Sequence, residues 1–163
     1  MEIKVKCLNQ TNNIKIIQKG DWIDLYSAEN ITLQAPKITV EGKIKFDYTT
    51  LNLGVAIELP KGFEAIVAPR SSAFKNYKII SANSIGIIDN SYCGNTDYWK
   101  LPIIALSDTS ICKGDRIAQF RIQLSQKSNM RQKIKWLFSS KITIKFYDLL
   151  YKENRGGFGT TGK

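Results

Sequence analysis

Val55-Ala56-Ile57-Glu58-Leu59-Pro60-Lys61-Gly62-Phe63-Glu64-Ala65-Ile66-Val67 decides the fold class. Both halves read with a period of two, which sends successive side chains to opposite faces of a strand. Pro60-Lys61-Gly62 between them is a turn signal. The same pattern recurs outward in both directions, at residues 1–6, Ile14-Lys15-Ile16, Ile31-Thr32-Leu33, Ile38-Thr39-Val40 and Ile44-Lys45-Phe46. It returns at Ile117-Ala118-Gln119-Phe120-Arg121-Ile122 and Ile142-Thr143-Ile144-Lys145-Phe146, with turns at Lys19-Gly20-Asp21, Glu41-Gly42 and Lys113-Gly114-Asp115. Many short strands at such spacing predict an all-β sandwich, jelly roll or barrel. Two stretches alone are candidates for helix: Ser71 to Tyr77, with a serine as N-cap, and a segment within 125–140.

Composition narrows the chemistry. The 163 residues suffice for one domain, and no linker or internal repeat divides them. No apolar run approaches the roughly 18 residues of a membrane span, and the N-terminus lacks a signal peptide's apolar centre. Three cysteines without metal-ligand spacing fit a reducing cytoplasm better than a disulfide framework. Histidine is absent, which excludes Ser-His and Cys-His nucleophiles and His-ligated metals. Catalysis must then rest on carboxylates, hydroxyls, basic groups, backbone and a hard cation held by oxygen. The formal net charge of +10 suits polyphosphate, nucleic acid or anionic membrane, and equally a lysine-rich solvated surface.

Five segments carry candidate chemistry. Ala68-Pro69-Arg70-Ser71-Ser72-Ala73 sets a guanidinium and two hydroxyls where a strand gives way to a helix, a cradle for an oxyanion or an ordinary cap. Asn83-Ser84-Ile85-Gly86-Ile87-Ile88-Asp89-Asn90-Ser91-Tyr92-Cys93-Gly94 reads as a β-hairpin with a polar tip. Its backbone edge is suited to a planar base and Asp89 to holding and deprotonating a water. Lys113-Gly114-Asp115-Arg116-Ile117-Ala118-Gln119-Phe120 places Arg116 and Gln119 an odd number apart, hence on opposite faces of a regular strand. Arg155-Gly156-Gly157-Phe158-Gly159-Thr160-Thr161-Gly162-Lys163 is a glycine-rich tail that either grips phosphate and stacks on a ring or frays. Asp21-Trp22-Ile23-Asp24-Leu25-Tyr26-Ser27 ends a strand on Asp24, a candidate for orienting a metal's water shell or for a turn.

In order and spacing, these segments resemble the five motifs of the trimeric dUTPase family over residues 20–162, in wording closest to phage and prophage members from Gram-positive bacteria. The resemblance implies a distorted jelly-roll β-barrel or sandwich at 1–153, a flexible C-terminal lid at 154–163, and a homotrimer with three shared sites. It implies a dUTP diphosphatase that yields dUMP and pyrophosphate, supplies dUMP for dTMP synthesis and keeps uracil out of DNA, in the cytoplasm (that of the bacterial host if phage-encoded). Asp89 would be the catalytic base for water attacking the α-phosphorus, and Tyr92 would exclude a 2′-hydroxyl. Asn83, Gly86 and Ile88, with the backbone between, would read uracil. Arg70, Ser71 and Ser72 would grip the phosphates, and Gln119 the α-phosphate. Arg155, Gly159, Thr160 and Thr161 would close on the γ-phosphate while Phe158 caps the base. Mg²⁺ would be held by the phosphates, with Asp24 in its outer shell.

Departures from the family pattern set further expectations. Trp22-Ile23 replaces small residues before Asp24, and Ser72 stands where many members have glycine. The tail lacks two residues between Arg155 and Phe158, which alters its reach and makes Trp99 a second candidate for stacking on uracil. The alternative for Trp99 is a core or interface aromatic. Residues 125–141 are extra and carry Lys127, Arg131, Lys133, Lys135 and Trp136. They read as a basic solvated loop anchored by Trp136, with nucleic acid or a phage repressor as alternative partners. Two rival functions stay open: the fold-sharing dCTP deaminase, which needs a glutamate near the base that 96–101 does not supply, and a purely regulatory module.

Overall fold

The computed structural model describes residues 1–9, 14–15, 20–138 and 141–157. Phe158, Gly159, Thr160 and Thr161 therefore lie outside the described residues, as does Ile16. In chain order the strands are β1 (Glu2–Cys7), β2 (Ile23–Tyr26), β3 (Ile31–Leu33), β4 (Lys37–Ile38), β5 (Ile44–Lys45), β6 (Tyr48–Asn52) and β7 (Val55–Glu58). There follow β8 (Phe63–Pro69), β9 (Ile79–Ser81), β10 (Gly86–Asp89), β11 (Lys100–Ala105), β12 (Thr109–Ile111), β13 (Arg116–Leu124) and β14 (Thr143–Phe146). Helices α1 (Ala73–Tyr77) and α2 (Met130–Leu137) fall where the sequence allows them.

The two strands around Pro60-Lys61-Gly62 part company. β7 pairs with β1 in the sheet β14-β1-β7, while β8 joins the sheet β10-β8-β13-β2. The turn thus carries the chain from one layer to another. A third sheet, β6-β11-β9, and two strand pairs complete an all-β jelly-roll architecture that does not close into a barrel. Facing residues Val5, Leu25, Leu51, Ile57, Ala65, Val67, Leu101, Ile103, Phe120 and Ile122 form one buried cluster. Their side chains are withdrawn from water between the layers, the main favourable term in the fold.

Several expectations change here. Asn83 to Gly94 is not a hairpin: β9 pairs with β11 while β10 pairs with β8, so the turn at 81–84 joins two different sheets. Ser84 takes φ 59 in that turn. Arg116 and Gln119 do not fall on opposite faces either. A β-bulge between Arg116 and Ala118 inserts an extra residue and resets the parity. Ile117 and Ala118 are accordingly both buried, and Arg116 reaches Asp24, the residue paired opposite Gln119.

The basic extra segment holds a helix rather than only a loop. Asn129 caps α2, its side chain accepting from the Gln132 amide while Gln132 reaches back to the Asn129 amide. Trp136 anchors it, packing on Phe63 with ring centroids 5.6 Å apart. Ser128 Oγ and Gln132 Nε2 donate to the Gly62 and Lys61 carbonyls. No helix among the described residues is long and apolar enough to cross a membrane.

Candidate active site

Two clusters of the expected residues form, at opposite ends of one sheet. The first is built on Asp24, which β2 buries to 3% exposure. Arg70 Nε lies 2.9 Å from Asp24 Oδ1 and Arg116 Nη1 lies 3.4 Å from Oδ2. Arg70 follows β8 directly, and its amide donates to the Ile117 carbonyl at 2.9 Å, tying it to β13. Gln119, half-buried, pairs with Asp24 on one side and Ala68 on the other. Ser72 begins α1 but its hydroxyl makes no cap bond, and Ser71 is exposed. The capping alternative therefore gives way at Ser72, and Asp24 brings Arg70 and Gln119 together, with Ser71 and Ser72 next along the chain from Arg70.

Asp24, expected in a metal's outer shell, meets two arginines here. Two guanidinium groups on one nearly enclosed carboxylate leave a local charge of +1, which suits an anion rather than a bare dication. Asp24 holds Arg70 in place. The residue preceding it explains the unusual wording of the segment: Ile23 enters the core, and Arg121 sits over the Trp22 ring at 5.9 Å. Among the described residues no cluster of three or more His, Cys, Asp or Glu side chains could hold a metal.

The second cluster surrounds Asp89 at the end of β10. A cleft of about 300 Å³ is lined by Asn83, residues 85–89, Tyr92, Lys100, Pro102 and residues 155–157. β10 is the edge of its sheet, paired on one side with β8, and no strand pairs with its other side among the described residues. An edge of that kind presents N–H and C=O groups in register. Tyr92 is half-buried below it, its hydroxyl donating to the Tyr98 carbonyl at 3.0 Å. Burial and then the nearby Asp97 charge push the Tyr92 phenol up, so it stays neutral.

Asp89 accepts from the Ser91 amide at 2.8 Å and from the Ser91 hydroxyl through Oδ1. Its Oδ2 takes Arg155 Nη1 at 2.6 Å. Burial pushes the Asp89 carboxyl up, but the Ser91 hydroxyl and amide and then Arg155 outweigh it, and its pKa lies below the ordinary 3.8. Arg155, expected on a γ-phosphate, thus rests on the carboxylate expected to be the base. Gly157 follows against the Tyr92 ring, where a Cβ would stand 3.3 Å from Cε2.

Trp99 is not available for stacking. It is 0% exposed and packs edge-on against Phe120, centroids 5.1 Å apart at 82°. Its backbone pairs with Val55 and Leu53, which turns the indole inward. The core alternative holds. Sequence reasoning also missed Asp97, buried at 2% and bonded to the root of the tail.

The two clusters stay apart within one chain. Asp89 pairs with Glu64. Arg70 lies six residues further along the chain from Glu64, roughly 20 Å at about 3.3 Å per residue.

With this geometry in hand, the comparisons are unambiguous. A dUTPase family model matches residues 21–135. The chain belongs to the dUTPase family. It is 41% identical to the SPbeta prophage-derived deoxyuridine 5′-triphosphate nucleotidohydrolase of Bacillus subtilis (strain 168), over 99% of both chains. Against the dUTPase from Streptococcus mutans the TM-score is 0.63 at 17% identity, covering 74% of this chain and 91% of that one. The dUTPase of Staphylococcus bacteriophage 80alpha, solved with dUPNHPP, gives 0.61 at 17% identity over 99% and 98%. In this dUTPase, then, Asp89 and Tyr92 share one cleft, and Arg70 lies at the far end of the sheet.

Proposed function

We propose that the chain hydrolyses dUTP to dUMP and pyrophosphate, with Asp89 as general base. The observation that carries this reading is the cleft itself: an open strand edge, a neutral tyrosine and an ionised carboxylate at its end. Uracil has one N–H flanked by two carbonyls, a pattern that a strand's alternating N–H and C=O groups complement, and cytosine's differs at the 4-amino position. The Tyr92 ring beneath the sugar leaves no room for a 2′-hydroxyl. A water held by Asp89 attacks the α-phosphorus. The new P–O bond forms as the bond to the bridging oxygen breaks, the water's proton passes to Asp89, and pyrophosphate leaves.

Before that step Arg155 must leave Asp89. A triphosphate carries several negative charges against one on the carboxylate, and a half-exposed ion pair is worth only about 0–1 kcal/mol. The phosphates therefore draw the guanidinium over, which frees the base. Mg²⁺ enters as the ion of the substrate's triphosphate, since this cation keeps most of its waters and binds through few carboxylates.

The roughly 20 Å between Asp89 and Arg70 supports sites shared between copies, in keeping with the homotrimer that the family resemblance implies. The α- and γ-phosphorus atoms of one substrate cannot span that distance, so Arg70, Ser71, Ser72 and Gln119 serve the Asp89 of another copy. In that arrangement Gln119 contacts the α-phosphate and the serines the outer phosphates. The test is pyrophosphate release across dUTP, UTP, dCTP and dTTP, with and without Mg²⁺. Release from dUTP alone, dependent on Mg²⁺, is expected; ammonia release from dCTP would overturn the reading.

A further inference from the structure

Asp97 lies in the loop between β10 and β11, carries no role in the reading above, and is almost wholly enclosed at 2% exposure. An ionised carboxylate is expensive to bury unless donors surround it. Three backbone amides do so. Gly94 N donates to Oδ2 at 2.8 Å, Arg155 N to Oδ2 at 2.9 Å, and Gly156 N to Oδ1 at 3.1 Å. One of these belongs to the carboxylate's own loop and two to the C-terminal arm, 58 and 59 residues away in sequence. The Thr96 amide adds a third link from loop to arm, donating to Asn154 Oδ1 at 2.7 Å.

The loop is shaped to receive the arm closely. A Cβ on Gly94 would stand 2.4 Å from Asn154 Cα, a backbone atom that cannot swing aside. Glycine is therefore required at 94 by the arm and not by its own dihedrals. With the backbone of residues 154–156 held by this loop, the Arg155 side chain starts within reach of Asp89, which it meets at 2.6 Å.

We infer that Asp97 is a positioning residue for the reaction: its buried carboxylate anchors the root of the C-terminal arm and thereby sets Arg155 beside Asp89. The inference rests on the proposed dUTP hydrolysis for its catalytic half and on geometry alone for its structural half. Asp97 fixes only the backbone of Arg155, so the guanidinium remains free to trade Asp89 for phosphate while its base stays in place.

The test uses the full chain and two variants. Asp97→Asn keeps size but replaces one acceptor oxygen with an NH₂ group, which loses at least one amide bond to a charged acceptor. Gly94→Ala leaves Asp97 intact and pushes Asn154 away. In limited trypsinolysis without substrate, cleavage after Arg155 should speed up about tenfold in each variant, the loss expected for one charge-assisted bond, while the body of the chain stays uncut. Should Asp97→Asn fail to fold, Gly94→Ala decides this arm of the test.

A second measurement separates positioning from plain stability. Asp97→Asn and Arg155→Gln, alone and together, are compared in kcat/KM for dUTP. If Asp97 acts through Arg155, the double variant is no worse than Arg155→Gln alone. Unchanged cleavage after Arg155, or losses that multiply in the double variant, would overturn the inference. Absence of dUTP turnover in the parent would strike the hydrolase reading instead and leave the trypsin result to judge the anchor.

Discussion

Asp24→Asn distinguishes a phosphate-grip positioner from a metal ligand. The substitution keeps the side chain's shape and removes the charge that binds Arg70 and Arg116. Removing one partner from a fully buried pair costs about 3–5 kcal/mol, since the other charge stays behind unpaired. The Asp24 side chain is 5% exposed, but Arg70 is 26% and Arg116 52% exposed, so water relieves part of that cost. The Arg116 contact, long and half in solvent, contributes about 0–1 kcal/mol. Asparagine also keeps one oxygen for Arg70 Nε. A net loss of about 2 kcal/mol follows, lowering Tm by about 4–8 °C for a chain of this length. Thermal unfolding by circular dichroism reads it directly. Steady-state kinetics should show a raised KM for dUTP, because Arg70 is no longer held toward the phosphates, and an unchanged half-saturating Mg²⁺ concentration. An unchanged Tm with a raised Mg²⁺ requirement would refute the reasoning and return Asp24 to the metal's shell.

Asp89→Asn should abolish pyrophosphate release while dUTP still binds, measured by calorimetry; near-normal turnover would remove Asp89 from the base role. Tyr92→Ala should admit UTP, and unchanged discrimination against ribose in the release assay would place the sieve elsewhere. The acid limb of kcat/KM, which reports the free enzyme, should lie below the ordinary carboxylate value of about 3.9 in the parent. Only the ionised base is active and the pKa of Asp89 is lowered, so activity persists to lower pH; Arg155→Gln removes one lowering cause and moves the limb up. The same sign holds for stability: the contribution of Asp89 is present above its unfolded pKa and lost as pH falls through the folded one. A limb that stays put in Arg155→Gln would show that the guanidinium does not act on Asp89 in solution.

Much of the β architecture was legible because strands such as β8, whose burial alternates residue by residue, keep one wet face. β11 was not legible, since it lies buried along most of its length and its Leu101-Pro102-Ile103-Ile104 run carries a proline and no alternation. Asp89, Tyr92, Asn83, Gly86 and Ile88 were legible as a group because they lie within ten residues of one another and local chain direction keeps them together. Arg116 and Gln119 were misassigned by a bulge, which one added residue creates and no period reveals. Asp97 was missed for a different reason. A lone acid among Gly94, Asn95 and Thr96 looks like any polar turn, and its partners are amides nearly sixty residues away. Trp99 was ambiguous in the sequence because an aromatic after a polar loop serves a core and a ligand equally well; only the 0% exposure decides.

The arginines of the site share one arrangement that separates two kinds of work. Arg70 and Arg116 rest on Asp24, and Arg155 rests on Asp89, so each cation named for phosphate or its support already faces a carboxylate. The carboxylates differ in burial. Asp24 is 5% exposed, and breaking its pair with Arg70 leaves a charge without water, so the incoming phosphate meets Arg70 with the aspartate still attached. Asp89 is 48% exposed, and its pair with Arg155 is of the kind that solvent and salt weaken to almost nothing. Under the proposed function, a triphosphate therefore takes Arg155 from Asp89 but not Arg70 from Asp24. On that reading the grip is preorganised at one end of the sheet and the base is released at the other. With net charge +10 spread over many lysines, it is these three placed arginines, and not the overall charge, that give the anion its address under the proposed function.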